Sequence, residues 1–209
     1  MKRLALTDIS LKVWAVIVFA FLFAPIAVII IYSFNEGRLL VAWNEFGFGS
    51  FGAIVTKPAI SDAVLVSIQT GFIAAIIATA LGTTAGVALA RRAGKWAAPF
   101  LLLLVLVTVT PEIVDAVSLL PWMVFLGQDL GLSIFDNGIV RLVVGHSLFS
   151  TAVVAYIVRS RLVGIDESLE EAAADLYAPP FKRFTQITLP LVMPAVLAGG
   201  LLSFTLSLD

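Results

Sequence analysis

Glu112 and Asp115 stand three residues apart in a long apolar stretch, and Trp122 follows seven residues after Asp115. On a helix all three share one face. Carboxylates in apolar surroundings are costly unless they meet a counter-charge or water, so within a membrane they mark a pathway by default. Two acids and an indole suit an ammonium cation, through charge pairing and cation–π attraction. A diamine or triamine fits that chemistry. The structural alternative is an ion pair from Glu112 to an arginine of a partner subunit, with Trp122 in an interfacial aromatic belt. Asp209, with Ser203 and Ser207 shortly before it, is a further candidate for the same cavity.

Other chemistries find little material. His146 is the only histidine, and a lone histidine in a span is more often a hydrogen-bonded packing residue than a ligand or relay. There is no cysteine and no second ligand cluster, so no metal site is expected. The phosphate loop G-x-x-x-x-G-K-[ST] is absent, so this chain is not expected to hydrolyse ATP. No nucleophile–base pair suggests an enzyme. The net charge of −1 argues against nucleic acid as a partner.

The elements that position these residues belong to a membrane protein. Of 209 residues, 60% are apolar and 13% charged, against about 25% charged in soluble domains. That leaves too few charges to solvate a globular surface. Four runs are long enough to span, at 13–34, 63–90, 97–120 and 139–158, and a fifth covers 191–209. A sixth span and a cytoplasmic C-terminus are expected beyond Asp209. The first run is too long for a signal-peptide core and lacks a small-x-small cleavage site after it. Lys2, Arg3 and Lys12 precede the first span; Arg91, Arg92 and Lys95 follow the second; Arg159, Arg161, Lys182 and Arg183 follow the fourth. The positive-inside rule then puts the N-terminus and segment 159–189 in the cytoplasm, with loops 35–61 and 121–138 outside. The second span repeats a small residue every four positions, at Ala74, Ala78, Gly82, Gly86 and Ala90, which suits close helix packing in lipid. Pro25 is expected to kink the first span. The expected fold is all-α, a polytopic transmembrane bundle forming one domain over 1–209.

Residues 166–190 read DESLEEAAADLYAPPFKRFTQITLP. Asp166 is a candidate N-cap, and Glu167, Glu170 and Glu171 sit where the helix dipole favours negative charge. Leu169, Ala172, Ala173 and Leu176 fall at i, i+3, i+4 and i+7, one apolar stripe on a short helix. Pro179 and Pro180 end that helix, a second short amphipathic piece follows, and Pro190 opens the fifth span. With four acids in six residues, the stripe is poorly suited to an anionic lipid surface and suits a groove on a partner protein.

Glu171-Ala172-Ala173, three residues, Tyr177, nine residues and Ile187-Thr188-Leu189-Pro190 resemble the EAA loop of bacterial ATP-binding-cassette importer permeases. Tyr177 departs from the pattern, standing where the family carries glycine. Because tyrosine lacks glycine's freedom at positive φ, the bend is expected at 178–180 instead. Residues 81–91 are similar to the end of the second conserved helix of that superfamily, and residues 110–114 with 118–120, 189–195 and 203–209 are similar to its polyamine (spermidine/putrescine) subgroup. Permeases for iron(III), sulfate or sugars share the fold.

The resemblance implies a type I permease fold working by alternating access in the bacterial inner membrane. It implies two ATP-binding subunits, which hold ATP and Mg²⁺ outside this chain; no cofactor is expected within it. It also implies a second homologous permease, expected as a heterodimer, and a periplasmic or lipid-anchored substrate-binding protein. Glu170, Glu171, Ala172, Ala173, Asp175, Leu176, Tyr177 and Pro190 then belong to the loop that couples to the ATPase. The competing class is an ion-coupled carrier or channel acting alone, which would not need an exposed apolar stripe on its cytoplasmic loop. Neighbouring genes would separate the two.

Overall fold

The computed structural model describes residues 2–37, 42–91 and 94–208. Among them the regular structure is helical, and the chain divides into two compact units, 1–64 and 65–209.

In the first unit, α1 (Lys2–Tyr32) runs through Pro25 as one continuous helix and is apolar all round from Val13 onward. Such a helix belongs in lipid or in a protein interior. The turn after it is built around Asn35, whose Nδ2 donates to the Ala42 carbonyl (2.8 Å) and whose Oδ1 accepts from the Asn44 amide (2.9 Å). Phe34 stacks on Phe46 at 5.3 Å and meets the edge of Phe48 at 5.6 Å. A short helix, α2 (Gly49–Thr56), leads into α3 (Pro58–Arg91).

In the second unit, α6 (Gly138–Val163) is the central helix. Its Val154, Val158 and Leu162 interlock with Val192 and Val196 of α9 (Leu189–Ser207). Its Ala152 and Ala155 pack with Leu89 of α3 and Leu104 of α4 (Ala97–Val109). The Tyr156 hydroxyl donates to the Leu101 carbonyl at 3.2 Å, tying α6 to α4. The small-residue stripe of α3 has its expected use. A Cβ on Gly82 would lie 2.6 Å from that of Val154, and one on Gly86 would lie 2.7 Å from the Ala155 carbonyl oxygen. Only glycine allows the two backbones to come this close.

Four helical stretches among the described residues are long and apolar enough to span, namely Asp8–Tyr32, Pro58–Arg91, Gly138–Val163 and Pro180–Ser207. The run at 97–120, expected as one span, is broken. α4 ends at Val109, α5 (Glu112–Gln128) begins at Glu112, and the two diverge by 105°. Proline is the cause: it offers no N–H and drives the residue before it out of the helical region. Thr110 is extended at φ −65°, ψ 130°, and so is Pro111 at φ −59°, ψ 132°. α5 also continues to Gln128, so helix occupies the first part of the segment expected as outer loop 121–138. A 3₁₀ turn, Ser133–Asp136, fills much of the rest.

Candidate functional site

The break at Pro111 places the two acids. Glu112 and Asp115 occupy the first turn of α5, where exposed N–H groups and the helix dipole favour negative charge. A cavity of about 430 Å³ lies against this turn. Its wall includes Glu112, Asp115, Leu119 and Met123 from α5, Arg141, His146 and Phe149 from α6, and Leu206 from α9. Among the described residues neither acid has an ion-pair partner. Arg141 is the nearby cation, and it is already held. It donates to the Phe135 carbonyl, and its Nη2 lies 3.8 Å from Asp136 Oδ1.

The other candidates fare differently. Trp122 is exposed, stacks on Phe125 at 5.6 Å and is not part of the wall; Met123, buried beside it, lines the cavity instead. Ser203 and Ser207 are buried without a hydrogen-bond partner among the described residues, and Leu206 reaches the cavity between them. Asp209 lies outside the described residues. His146 was read from the sequence as a packing residue, yet it lines the cavity, as does Arg141. His146 and Phe149 stand three residues apart on α6, roughly one helical turn, and that spacing was the signal available.

The segment between α6 and α9 holds a second constellation. α7 spans Ser168–Asp175, and Glu167 rather than Asp166 precedes its first residue. Asp166 still acts on the helix start, its Oδ1 accepting from the Ser168 amide at 3.0 Å. Hydrogen bonds from the Ser168 backbone and side chain, aided by nearby Arg91, hold the Asp166 carboxyl below its ordinary range. At the other end the expectation for the bend is overturned, because Tyr177 itself adopts positive φ, at 58°. The Tyr177 amide donates to Ala174 (2.9 Å) and the Ala178 amide to Ala173 (3.0 Å). This pair of bonds is the Schellman closure, which demands a left-handed residue at this position. Satisfying the last carbonyls outweighs the strain of roughly 1–2 kcal/mol for a side chain in that region.

The apolar stripe is open on one side. Leu169, Ala172 and Leu176 are exposed, with Leu176 at 82%, while Ala173 is partly covered. Glu171 and Asp175 are exposed, whereas Glu170 turns inward. α8 (Pro180–Arg183) and a π-helical turn, Phe184–Thr188, lead without a gap into α9, with Pro190 in its first turn.

Residues 82–209 match the family described as "Binding-protein-dependent transport system inner membrane component". The putrescine transport system permease protein PotI of Escherichia coli is 38% identical over 202 residues, covering 94% of this chain and 71% of that protein. The spermidine/putrescine transport system permease protein PotC of Haemophilus influenzae is 35% identical over 195 residues, covering 92% and 72%. The molybdenum transport system permease protein ModB of Mycobacterium bovis is 30% identical over 165 residues, covering 76% and 62%. With these matches, a membrane-spanning helical bundle and the EAA loop, the chain belongs to the inner-membrane permease family of binding-protein-dependent, ATP-driven importers.

Proposed function

We propose that this permease takes up polyamines, and that the cavity between α5 and α6 forms part of their path. The observation that carries the reading is the pair Glu112 and Asp115 on the cavity wall, without an ion-pair partner among the described residues. Three residues apart on a helix, their Cβ atoms are separated by roughly 5–6 Å. That spacing lets each acid receive one ammonium of a diamine. Sulfate or another anionic cargo would be repelled by both acids, and a sugar would leave them uncompensated. The names of the relatives in Escherichia coli and Haemophilus influenzae support the same choice of cargo.

In this reading the N-terminus and α7 face the cytoplasm of a bacterium. The open stripe of α7 docks in a groove of an ATP-binding subunit, which supplies ATP and Mg²⁺ chemistry that this chain lacks. A second, homologous permease completes the translocation path, and an extracytoplasmic binding protein delivers cargo to the outer loops. ATP-driven closure of the two ATP-binding subunits carries α7 with it and reorients the spans.

The test is ATP hydrolysis by the complete reconstituted importer, with its binding protein, against polyamines, iron(III), sugars and oxyanions. Stimulation by putrescine or spermidine alone is expected. Stimulation by a sugar or an oxyanion, with none by polyamines, would refute the proposal.

A further inference from the structure

Arg91 ends α3, and its side chain is almost covered, at 11% exposure. Every nitrogen of its guanidinium is used. Nε reaches Glu170 Oε1 at 3.2 Å, Nη1 reaches Glu167 Oε1 at 3.1 Å, and Nη2 reaches the Ile165 carbonyl at 3.3 Å. The same Glu170 oxygen accepts a hydrogen bond from Thr188 Oγ1 at 3.0 Å. Thr188 is buried and closes the π-helical turn that leads into α9. Ile165 packs against the α6–α9 cluster together with Val87 and Ala90 of α3. One carboxylate therefore joins α7 to the end of α3 and the start of α9, and one guanidinium adds the turn after α6.

This geometry has a mechanical consequence. A helix that only docks on an ATPase could swing on the loops that tether it. Here α7 is fastened on its inner side to two spans, while its outer side stays open. The fork of Arg91 suits the task, because planar, fixed donors hold three acceptors in one arrangement, which a lysine ammonium on a flexible stem does not reproduce.

We infer that Arg91, Glu170 and Thr188 form a strut that transmits displacement of α7 to α3 and α9, making Arg91 a positioning residue for transport. The inference rests on the docking of α7 proposed above, and its test separates the two. Arg91→Gln, Glu170→Gln and the double variant are placed in the reconstituted importer, and ATP hydrolysis and putrescine uptake are measured per assembled complex. In each single variant hydrolysis should persist while uptake per ATP falls about tenfold, and the double variant should fall well short of the product of the two losses, because both cut the Arg91–Glu170 contact. A merely structural contact would lower assembly and leave uptake per ATP untouched in the complexes that form. Unchanged uptake per ATP in Arg91→Gln, or losses that multiply in the double variant, would overturn the strut. If Arg91→Gln does not assemble, Thr188→Val removes only the arm to α9, and its uptake per ATP should also fall; no change would count equally against the proposal. Docking is read separately from Ala172→Arg. If that variant abolishes hydrolysis while Arg91→Gln transports normally, docking stands and the strut fails.

Discussion

The Ala178 amide donates to the Ala173 carbonyl across 3.0 Å, closing α7 over a tyrosine held at φ 58°. The EAA pattern that this loop resembles has glycine at this position. The strain is stored in a residue that is otherwise 95% exposed. Tyr177→Gly should therefore strengthen the closure by about 1 kcal/mol, the penalty of a side chain in the left-handed region less the greater freedom of glycine when unfolded. Amide exchange at Leu176, Tyr177 and Ala178 should slow about fivefold, since 1.4 kcal/mol corresponds to roughly tenfold. Tyr177→Val should speed it, because a β-branched side chain tolerates positive φ worst. Equal exchange in all three proteins would show that the conformation at 177 carries no strain.

The packing of α3 on α6 gives a second expectation. Gly86→Val drives its side chain into the Ala155 carbonyl, 2.7 Å from where a Cβ would sit. Overpacking of this kind typically costs about 1–3 kcal/mol. The variant should lose monodisperse protein at lower temperature in detergent. Gly138→Ala, where nothing lies within 4 Å, should not. Equal thermal retention of the two variants would mean that α3 and α6 are not held this closely.

The open side of α7 is Leu169, Ala172 and Leu176, so the residue to charge is Ala172 rather than the partly covered Ala173. Ala172→Arg should reach the membrane in normal amounts and abolish ATP-driven transport, through loss of ATPase association. Co-purification of the ATP-binding subunit measures this directly. Undiminished co-purification would place the docking surface elsewhere.

Orientation is checked at Ser133, the start of the exposed 3₁₀ turn. The chain has no cysteine, so Ser133→Cys introduces a single thiol. A membrane-impermeant maleimide added to intact cells should label it. Labelling only after permeabilisation would reverse the topology.

The sequence disclosed the spans, the small-residue stripe and the short helix α7, because each is a local periodic pattern. It disclosed less wherever partners come from distant segments. Arg91 looked like a topological charge, since its partners Glu167 and Glu170 lie more than seventy residues away. His146 looked like a packing residue because its cavity exists only once α5 turns away from α4. That turn was partly legible in Pro111, which loosens a helix, although hydropathy alone ran the span straight through it. Tyr177 was misjudged because its intrinsic preference was weighed without the two backbone bonds that override it.

The central claim is that Glu112 and Asp115 receive a polyamine, and the most direct measurement is putrescine uptake per assembled complex for Glu112→Gln and Asp115→Asn. Each substitution keeps the size of the side chain and removes its charge. α7 and its contacts are untouched, so hydrolysis without substrate should survive. Uptake should fall at least about tenfold in each, which corresponds to roughly 1.4 kcal/mol of lost transition-state stabilisation. Unchanged uptake per complex in both variants would remove the two acids from the pathway and contradict the account.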